Sequence, residues 1–244
     1  MIFIWLIIYG FIYRISERAS FILDLPHIIT VFTMLLYWAV LVGYLYKKEH
    51  LKMYGLCLPE HKRFSRYAAC IPLLLFPIMN MLMYEHIHDW GILLLLSASF
   101  GEEILFRGFL LSKLTEQYRK RPLYGIAVTS CLFAVMHMVN LYTGVTLRYA
   151  GVQTVCAGAM GFCFAVISYR DRSIIPSVIL HSLINVTSPD PAGGSQMGAG
   201  LLDLGDLQAA VFLIMSAIYF MYGIWLYRKE IKKVLWERKN ESIH

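Results

Sequence analysis

Two adjacent glutamates and an arginine lie within an otherwise apolar stretch of this 244-residue chain. Glu102 and Glu103 follow the mostly aliphatic run 93–101, and Arg107 comes four residues after Glu103. A charged side chain at the centre of a membrane helix costs about 2.5–3.5 kcal/mol on insertion scales. Because a helix that keeps such groups is usually using them, the first hypothesis is acid–base chemistry in an apolar setting.

Helical geometry separates the roles of the two glutamates. Adjacent residues point about 100° apart, so the two carboxylates face different neighbours. Glu103 and Arg107 are spaced i,i+4 with the acid first, which favours an ion pair, and we assign both to structure. Glu102 has no such local partner and is the candidate general base. The small residues at 97–99 and Gly101 would let another helix approach closely.

Two histidines lie in later apolar segments. His137 follows Phe133 by one helical turn, so the phenyl ring could shield the imidazole. His181 is followed one turn later by Asn185, and together these side chains could donate two hydrogen bonds to a developing oxyanion. The structural alternative is that both histidines are satisfied core groups that hydrogen-bond between helices.

The composition predicts a polytopic membrane protein. Hydrophobic residues make up 58% of the chain and charged residues only 16%, which no soluble domain of this size requires. We expect one all-α, membrane-embedded domain over residues 1–244, with its polar site in the membrane core. About eight spanning segments are predicted, at 1–13, 28–46, 67–84, 90–112, 123–142, 149–169, 174–186 and 207–227.

The distribution of charge predicts the orientation of the helices. Most of the 22 Lys and Arg residues lie in the loops 47–66 and 113–122, at 170–172 and in the tail after residue 227. By the positive-inside rule both termini are cytoplasmic, and the net charge of +6 does not indicate a nucleic-acid partner. The Gly- and Pro-rich segment 187–206 is a linker or a mobile flap on the opposite side.

Three motifs occur in order along the chain. Glu102-Glu103-x-x-x-Arg107, Phe133-x-x-x-His137 and His181-x-x-x-Asn185 resemble those of the CAAX-protease and bacteriocin-processing (CPBP, or Abi) family of intramembrane endopeptidases. The motif-bearing core covers about residues 90–186, and the eight-segment count is similar to that of the eukaryotic CAAX endopeptidase. The resemblance implies an enzyme of the bacterial cytoplasmic membrane.

The resemblance also implies a reaction. The lipid bilayer would surround the site, and the substrate would be a hydrophobic or membrane-anchored peptide, either a bacteriocin or signal-peptide precursor or a CAAX-type prenylated peptide. Glu102, aided by His137, would activate a water molecule for peptide-bond hydrolysis. His181 and Asn185 would stabilise the tetrahedral oxyanion. The supporting residues would be Glu103, Arg107 and Phe133.

A metal requirement is left open by the residues. One carboxylate and two histidines form a known zinc ligand set, so Glu102, His137 and His181 are the candidate ligands of a Zn²⁺ ion. The chain lacks a contiguous His-Glu-x-x-His motif, and a metal-free glutamate mechanism is the favoured hypothesis. The polar segment 85–89 is interpreted as a solvated turn.

Two other functions are compatible with these residues. Some relatives are associated with self-immunity, so a non-catalytic membrane protein that binds a bacteriocin is one alternative. Acids and histidines within a membrane also form proton relays, so a proton-coupled transporter is another. No inverted repeat of the kind common in transporters is visible in the sequence.

Overall fold

The computed structural model describes most of the chain after residue 27. The described residues are 28–47, 51–58, 68–83, 91–143, 145–188 and 205–231, with scattered positions between 8 and 25. The predicted first segment lies largely outside them. So do the turn at 85–89, most of the loop 187–206 and the tail beyond residue 231.

The described residues form helices, as the apolar runs predict. Helix α1 is Ile28–Lys47, and α2 begins with a 3-10 turn at Ile71–Leu74 and continues over Leu75–Met83. Helix α3 has three consecutive parts: an α-helix at Gly91–Glu103, a π-helix at Ile104–Leu110 and an α-helix at Leu111–Gln117. The later helices are α4 at Pro122–Met136 with a 3-10 extension at His137–Thr143, α5 at Leu147–Asp171, α6 at Ile175–Thr187 and α7 at Asp206–Leu226.

Four helical stretches of the described residues are long and apolar enough to cross a membrane: Ile28–Lys47, Pro122–Leu141, Leu147–Asp171 and Asp206–Lys229. Two shorter apolar helices lie at Ile71–Leu82 and Ile175–Thr187. Helix α3 is long as well, but it carries the Glu-Glu-Arg cluster. The described part of the chain is therefore helical with four candidate membrane-spanning helices, and the count of eight spans stays a prediction.

The chain divides into two compact units, each assembled from two separate stretches. The first unit comprises Met1–Ser112 and Arg172–Met197, and it contains α1, α2, α6 and most of α3. In this unit α3 packs against both α1 and α6, and α6 also packs against α2. Asn80 of α2 is buried and donates a hydrogen bond to the Ser188 hydroxyl, which fixes the end of α6.

The second unit comprises Lys113–Asp171 and Gly198–His244 and contains α4, α5 and α7. Helix α5 packs against both α4 and α7. Its contact with α7 is close because Gly223 presents no side chain to Phe162 and Cys163. Close approach at small residues is the usual way for helices to associate where burial of apolar surface from water gives no driving force. One domain over residues 1–244 remains an expectation.

Candidate active site

The helix that carries the two glutamates changes geometry directly after them. Glu103 ends the first α-helical part of α3, and the π-helical part begins at Ile104. Short π-helical stretches inside α-helices are rare and frequently occur at functional sites. At Gly108 a β-carbon would lie 2.8 Å from the Tyr54 carbonyl oxygen, so only glycine allows this approach of the 51–58 segment.

Glu103 and Arg107 form the ion pair that their spacing predicts. Arg107 Nη1 donates to Glu103 Oε1 at 2.9 Å, and both side chains are almost fully buried, at 0% and 1% exposure. A buried charge needs both a counter-charge and hydrogen bonds, because neither partner can be solvated by water. The pair is therefore a fixed element of the helix, and breaking it would leave an uncompensated charge.

His181 of α6 lies between the two carboxylates. Its Nδ1 is 2.9 Å from Glu103 Oε1, and its Nε2 is 3.8 Å from Glu102 Oε2. Because a carboxylate oxygen can only accept, Nδ1 carries the proton in the contact with Glu103. The Nε2 contact is too long for a direct hydrogen bond, and a separation of this size is one that a water molecule can bridge.

Glu102 is the more accessible of the two acids. Its side chain is 30% exposed, whereas that of Glu103 is fully buried. Its Oε2 atom nevertheless lies out of contact with solvent and has no hydrogen-bond partner among the described residues. A buried carboxylate oxygen without a partner is costly unless something binds there. The unpaired Glu102 oxygen beside His181 Nε2 therefore marks Glu102 as a candidate for a functional role.

A second contact between α3 and α6 runs parallel to the first. Asn185 Nδ2 donates to Ser99 Oγ at 2.9 Å, and Ser99 is fully buried. Ser99 contacts Asn185, whereas Glu103, four residues later on α3, contacts His181, four residues earlier on α6. The two helices are thus antiparallel, and their polar side chains meet at one-turn intervals.

Helix α1 contributes an aromatic residue to the other side of α3. The indole of Trp38 occupies the space in front of Gly101, where any β-carbon would overlap it, and its Nε1 donates to Ser97 Oγ at 3.1 Å. Gly101 precedes Glu102 directly. The close approach that the small residues of this segment predict is therefore made by α1, and the backbone at Glu102 is packed against a rigid ring.

His137 and Phe133 lie in the second unit, at the junction between α4 and its 3-10 extension. Their ring centroids are 4.8 Å apart in an edge-to-face arrangement, and His137 Nδ1 is 2.9 Å from the Phe133 carbonyl oxygen. Since that oxygen only accepts, Nδ1 donates the hydrogen bond. This contact within its own helix orients the imidazole.

The side-chain arrangement of the described residues does not by itself make up a metal site. No group of three or more His, Cys, Asp and Glu side chains among them is arranged to hold a metal ion. Catalytic zinc usually takes three protein ligands. In the first unit His181 and Glu102 face each other, but Glu103 Oε1 is already engaged with Arg107 and His181. The ligand set of Glu102, His137 and His181 draws on both units and stays a prediction.

A comparison with protein families agrees with the motifs. Residues 85–187 match the family model described as type II CAAX prenyl endopeptidase Rce1-like. The CPBP family resemblance is confirmed. No curated protein and no solved structure matches the chain. This matched segment, which we call the Rce1-like segment, includes all three motifs and excludes α1, α2 and α7. Because the family is one of proteases, the match supports a protease.

Sequence reasoning missed two contributors to the site. The contact of Trp38 with Gly101 involves a helix without any motif, and nothing in its sequence distinguishes Trp38 from an interfacial tryptophan. Ser99 was noted only as a small residue, although its hydroxyl accepts a hydrogen bond from Asn185. The available signal was a polar side chain one helical turn before a buried acid. It lies on the face of α3 that contacts the His-x-x-x-Asn helix.

Proposed function

We propose that the protein is an intramembrane endopeptidase that hydrolyses a peptide bond in a hydrophobic or membrane-associated peptide. The observation that carries the proposal is the insertion of His181 between Glu102 and Glu103, with Asn185 one turn away, inside a segment that matches a protease family. A base, a cationic donor and an amide donor are the groups that water-driven amide hydrolysis requires.

Glu102 acts as the general base in this proposal. Its carboxylate takes a proton from a water molecule while the water oxygen attacks the carbonyl carbon of the substrate. The tetrahedral intermediate then collapses, the C–N bond breaks, and the same carboxyl group returns the proton to the leaving nitrogen. The partial exposure of the Glu102 side chain supports this role, because a general base must be accessible to water.

His181 stabilises the oxyanion in its protonated form. Glu103 Oε1 accepts the proton on Nδ1, so only a doubly protonated ring has an Nε2–H to donate. Glu103 therefore orients His181 as well as pairing with Arg107. This extends the purely structural role that the spacing alone assigns to Glu103.

The remaining motif residues support the reaction from their own helices. We keep the role that the resemblance assigns to His137, namely to assist Glu102 in activating water. Phe133 packs against that ring and restricts it. Arg107 holds the Glu103 carboxylate in place through their buried ion pair. The proposal is written without a metal-dependent step, because the chain lacks a contiguous His-Glu-x-x-His motif.

The substrate is proposed from the location of the site and from the family. A CAAX-type prenylated peptide is the substrate class named in the description of the matching family. A hydrophobic precursor of a bacteriocin or a signalling peptide is the second candidate. Both keep the scissile bond at or within the membrane, where apolar helices can surround it.

The test compares wild type and two variants in proteoliposomes. The probes are an internally quenched farnesylated peptide with a CAAX terminus and the same peptide without the lipid. Glu102→Gln keeps the shape of the side chain but cannot act as a base, so we expect kcat to fall by at least about a hundredfold. Glu116→Gln is the matched control, because Glu116 lies exposed at the end of the same helix.

A comparative peptidome extends the test to unknown substrates. Cells that carry wild type or Glu102→Gln are compared by mass spectrometry for peptides whose cleavage depends on Glu102. If neither the probes nor any cellular peptide is cleaved in a Glu102-dependent manner, the proposed activity is wrong. Retained immunity to a bacteriocin in the Glu102→Gln cells would then favour the binding protein. A proton flux into proteoliposomes would favour the transporter.

A further inference from the structure

A short chain of hydrogen bonds links Asn185 to the backbone of α3. Asn185 Nδ2 donates to Ser99 Oγ at 2.9 Å, and the Ser99 hydroxyl donates to the Leu95 carbonyl oxygen at 2.8 Å. Ser99 has no exposed surface. Serine has a lower helix propensity than alanine, so its presence at a buried position of an apolar helix is not explained by helix formation.

The Ser99 hydroxyl determines which end of the Asn185 amide faces it. A hydroxyl has one proton, and the Ser99 proton is committed to Leu95. Ser99 Oγ can therefore only accept, and the partner must be the amide nitrogen of Asn185 rather than its oxygen. Nitrogen and oxygen of a carboxamide have nearly the same shape, so the hydrogen-bond network decides the orientation of the group.

The fixed orientation leaves one donor of Asn185 available. The amide nitrogen carries two N–H groups, and Ser99 takes one of them. Among the described residues the other has no partner. In the reversed orientation the amide oxygen would lie against the Ser99 oxygen, and both N–H groups would turn away from their present positions. Orientation thus matters for any role of Asn185 as a donor.

We propose that Ser99 is a positioning residue that holds the Asn185 carboxamide with its nitrogen ready to donate to the substrate oxyanion. This inference rests on the proposed function, in which Asn185 stabilises the oxyanion. Preorganised donors are effective because they need no reorientation when charge develops. Ser99 performs this role through Asn185 and does not touch the substrate.

The experiment is a double-mutant cycle with the farnesylated quenched peptide as probe. Asn185→Ala is expected to lower kcat by about a hundredfold or more, as for other oxyanion donors. Ser99→Ala is expected to lower kcat about tenfold with little change in KM, a coupling typical of hydrogen-bonded neighbours. In the Asn185→Ala background the same Ser99→Ala change should have almost no further effect.

Ser216→Ala provides the matched control. Ser216 is also a buried serine that bonds to the carbonyl four residues earlier and contacts a side chain of a neighbouring helix, Cys156. It lies in α7, outside the Rce1-like segment. We expect its removal to affect stability as Ser99→Ala does, but to leave kcat unchanged. Equal kcat losses for Ser99→Ala and Ser216→Ala would overturn the positioning role.

The outcomes separate this inference from the proposed function. If Asn185→Ala lowers kcat and Ser99→Ala does not, Asn185 is a donor but Ser99 does not position it. Additive losses in the double variant would also contradict the inference. If Asn185→Ala has no effect while Glu102→Gln abolishes cleavage, the oxyanion role of Asn185 is wrong and the inference falls with it, although proteolysis stands.

A spectroscopic measurement tests the contact without any substrate. Protein labelled with ¹⁵N at asparagine gives a side-chain amide signal for Asn185, which is assigned by its loss in Asn185→Ala. Ser99→Ala should shift this signal and speed its exchange with water, whereas Ser216→Ala should not. A signal that is insensitive to Ser99→Ala would overturn the inference even if no probe is cleaved.

Discussion

Each compact unit contains a buried arginine–carboxylate pair, and the two pairs are built differently. In the second unit Arg170 binds Asp171 through two contacts, Nε to Oδ1 at 2.7 Å and Nη2 to Oδ2 at 2.8 Å. In the first unit Arg107 Nη1 binds Oε1 of Glu103, and the same oxygen contacts His181. Glu103 Oε2 is buried without a hydrogen-bond partner among the described residues.

The two carboxylates differ in how their oxygens are bound. The carboxylate of Asp171 is bound by one guanidinium at both oxygens, which is the geometry that best offsets the loss of hydration. The carboxylate of Glu103 is divided between a structural arginine and an imidazole that faces Glu102. A buried charge that is only partly satisfied adds little stability, which supports the role proposed for Glu103 in orienting His181.

The largest expected difference comes from neutralising one acid of each pair. Removing one partner of a buried pair costs about 3–5 kcal/mol, so Glu103→Gln and Asp171→Asn should both lower the unfolding temperature. Glu103→Gln should in addition lower kcat by about a hundredfold, because His181 loses the carboxylate that orients its ring. Thermal unfolding in detergent and cleavage of the farnesylated probe measure the two effects. Equal residual kcat in the two folded variants would contradict the comparison.

Replacing both members of each pair sharpens the same distinction. Replacing a buried ion pair with apolar residues of similar size often leaves the stability of the protein unchanged or raises it by about 1–4 kcal/mol. Arg170→Met with Asp171→Leu should therefore fold and retain activity. Glu103→Leu with Arg107→Met should fold and be inactive. Activity in the second double variant would show that Glu103 has only the structural role that its spacing assigns to it.

Glycine positions give a smaller contrast between the units. Gly101→Ala should push Trp38 out of its site and cost about 1–3 kcal/mol, since a buried contact is overpacked, with a parallel loss of kcat. Gly151→Ala in α5 meets nothing within 4 Å and should be neutral or up to about 1 kcal/mol stabilising. The unfolding temperatures of the two variants, measured side by side, test both expected changes in stability.

The smallest effect is expected from metal removal. If Glu102 activates water without a metal, active preparations should contain well under one zinc per chain, and a strong chelator should change kcat less than about twofold. Elemental analysis beside the cleavage assay measures this. The metal-free mechanism would be contradicted by one zinc per chain that is lost together with activity on chelation and restores activity when added back. His137→Ala and His181→Ala should then both lack this zinc.

Much of the helical organisation follows from the sequence, because an apolar run of about 20 residues near a membrane has few alternatives to a helix. The predicted segment 28–46 corresponds to Ile28–Lys47, and 207–227 to Asp206–Leu226. The π-helical part of α3 was not predicted, because its geometry results from tertiary packing rather than from local propensity. The number of spans also depends on residues that lie outside the described ranges.

Local spacing determined the contacts within single helices. The Glu103–Arg107 ion pair and the Phe133–His137 ring contact both join residues four apart, and helical geometry alone brings such side chains together. The small residues before Glu102 likewise indicated a close approach by other helices. The order of the three motifs was sufficient to indicate the family that the Rce1-like segment matches.

Only the tertiary structure decided which helices meet and which atoms face each other. His181 reaches Glu103 from 78 residues away, and Asn185 reaches Ser99 from 86 residues away. Such pairings depend on how whole helices pack. Rotating α6 by about 100°, the angle between adjacent residues, would turn both side chains away from α3. The sequence therefore determined the chemical groups and their local pairs, whereas the packing of α1 and α6 against α3 determined that Glu103 is shared and that Ser99 orients Asn185.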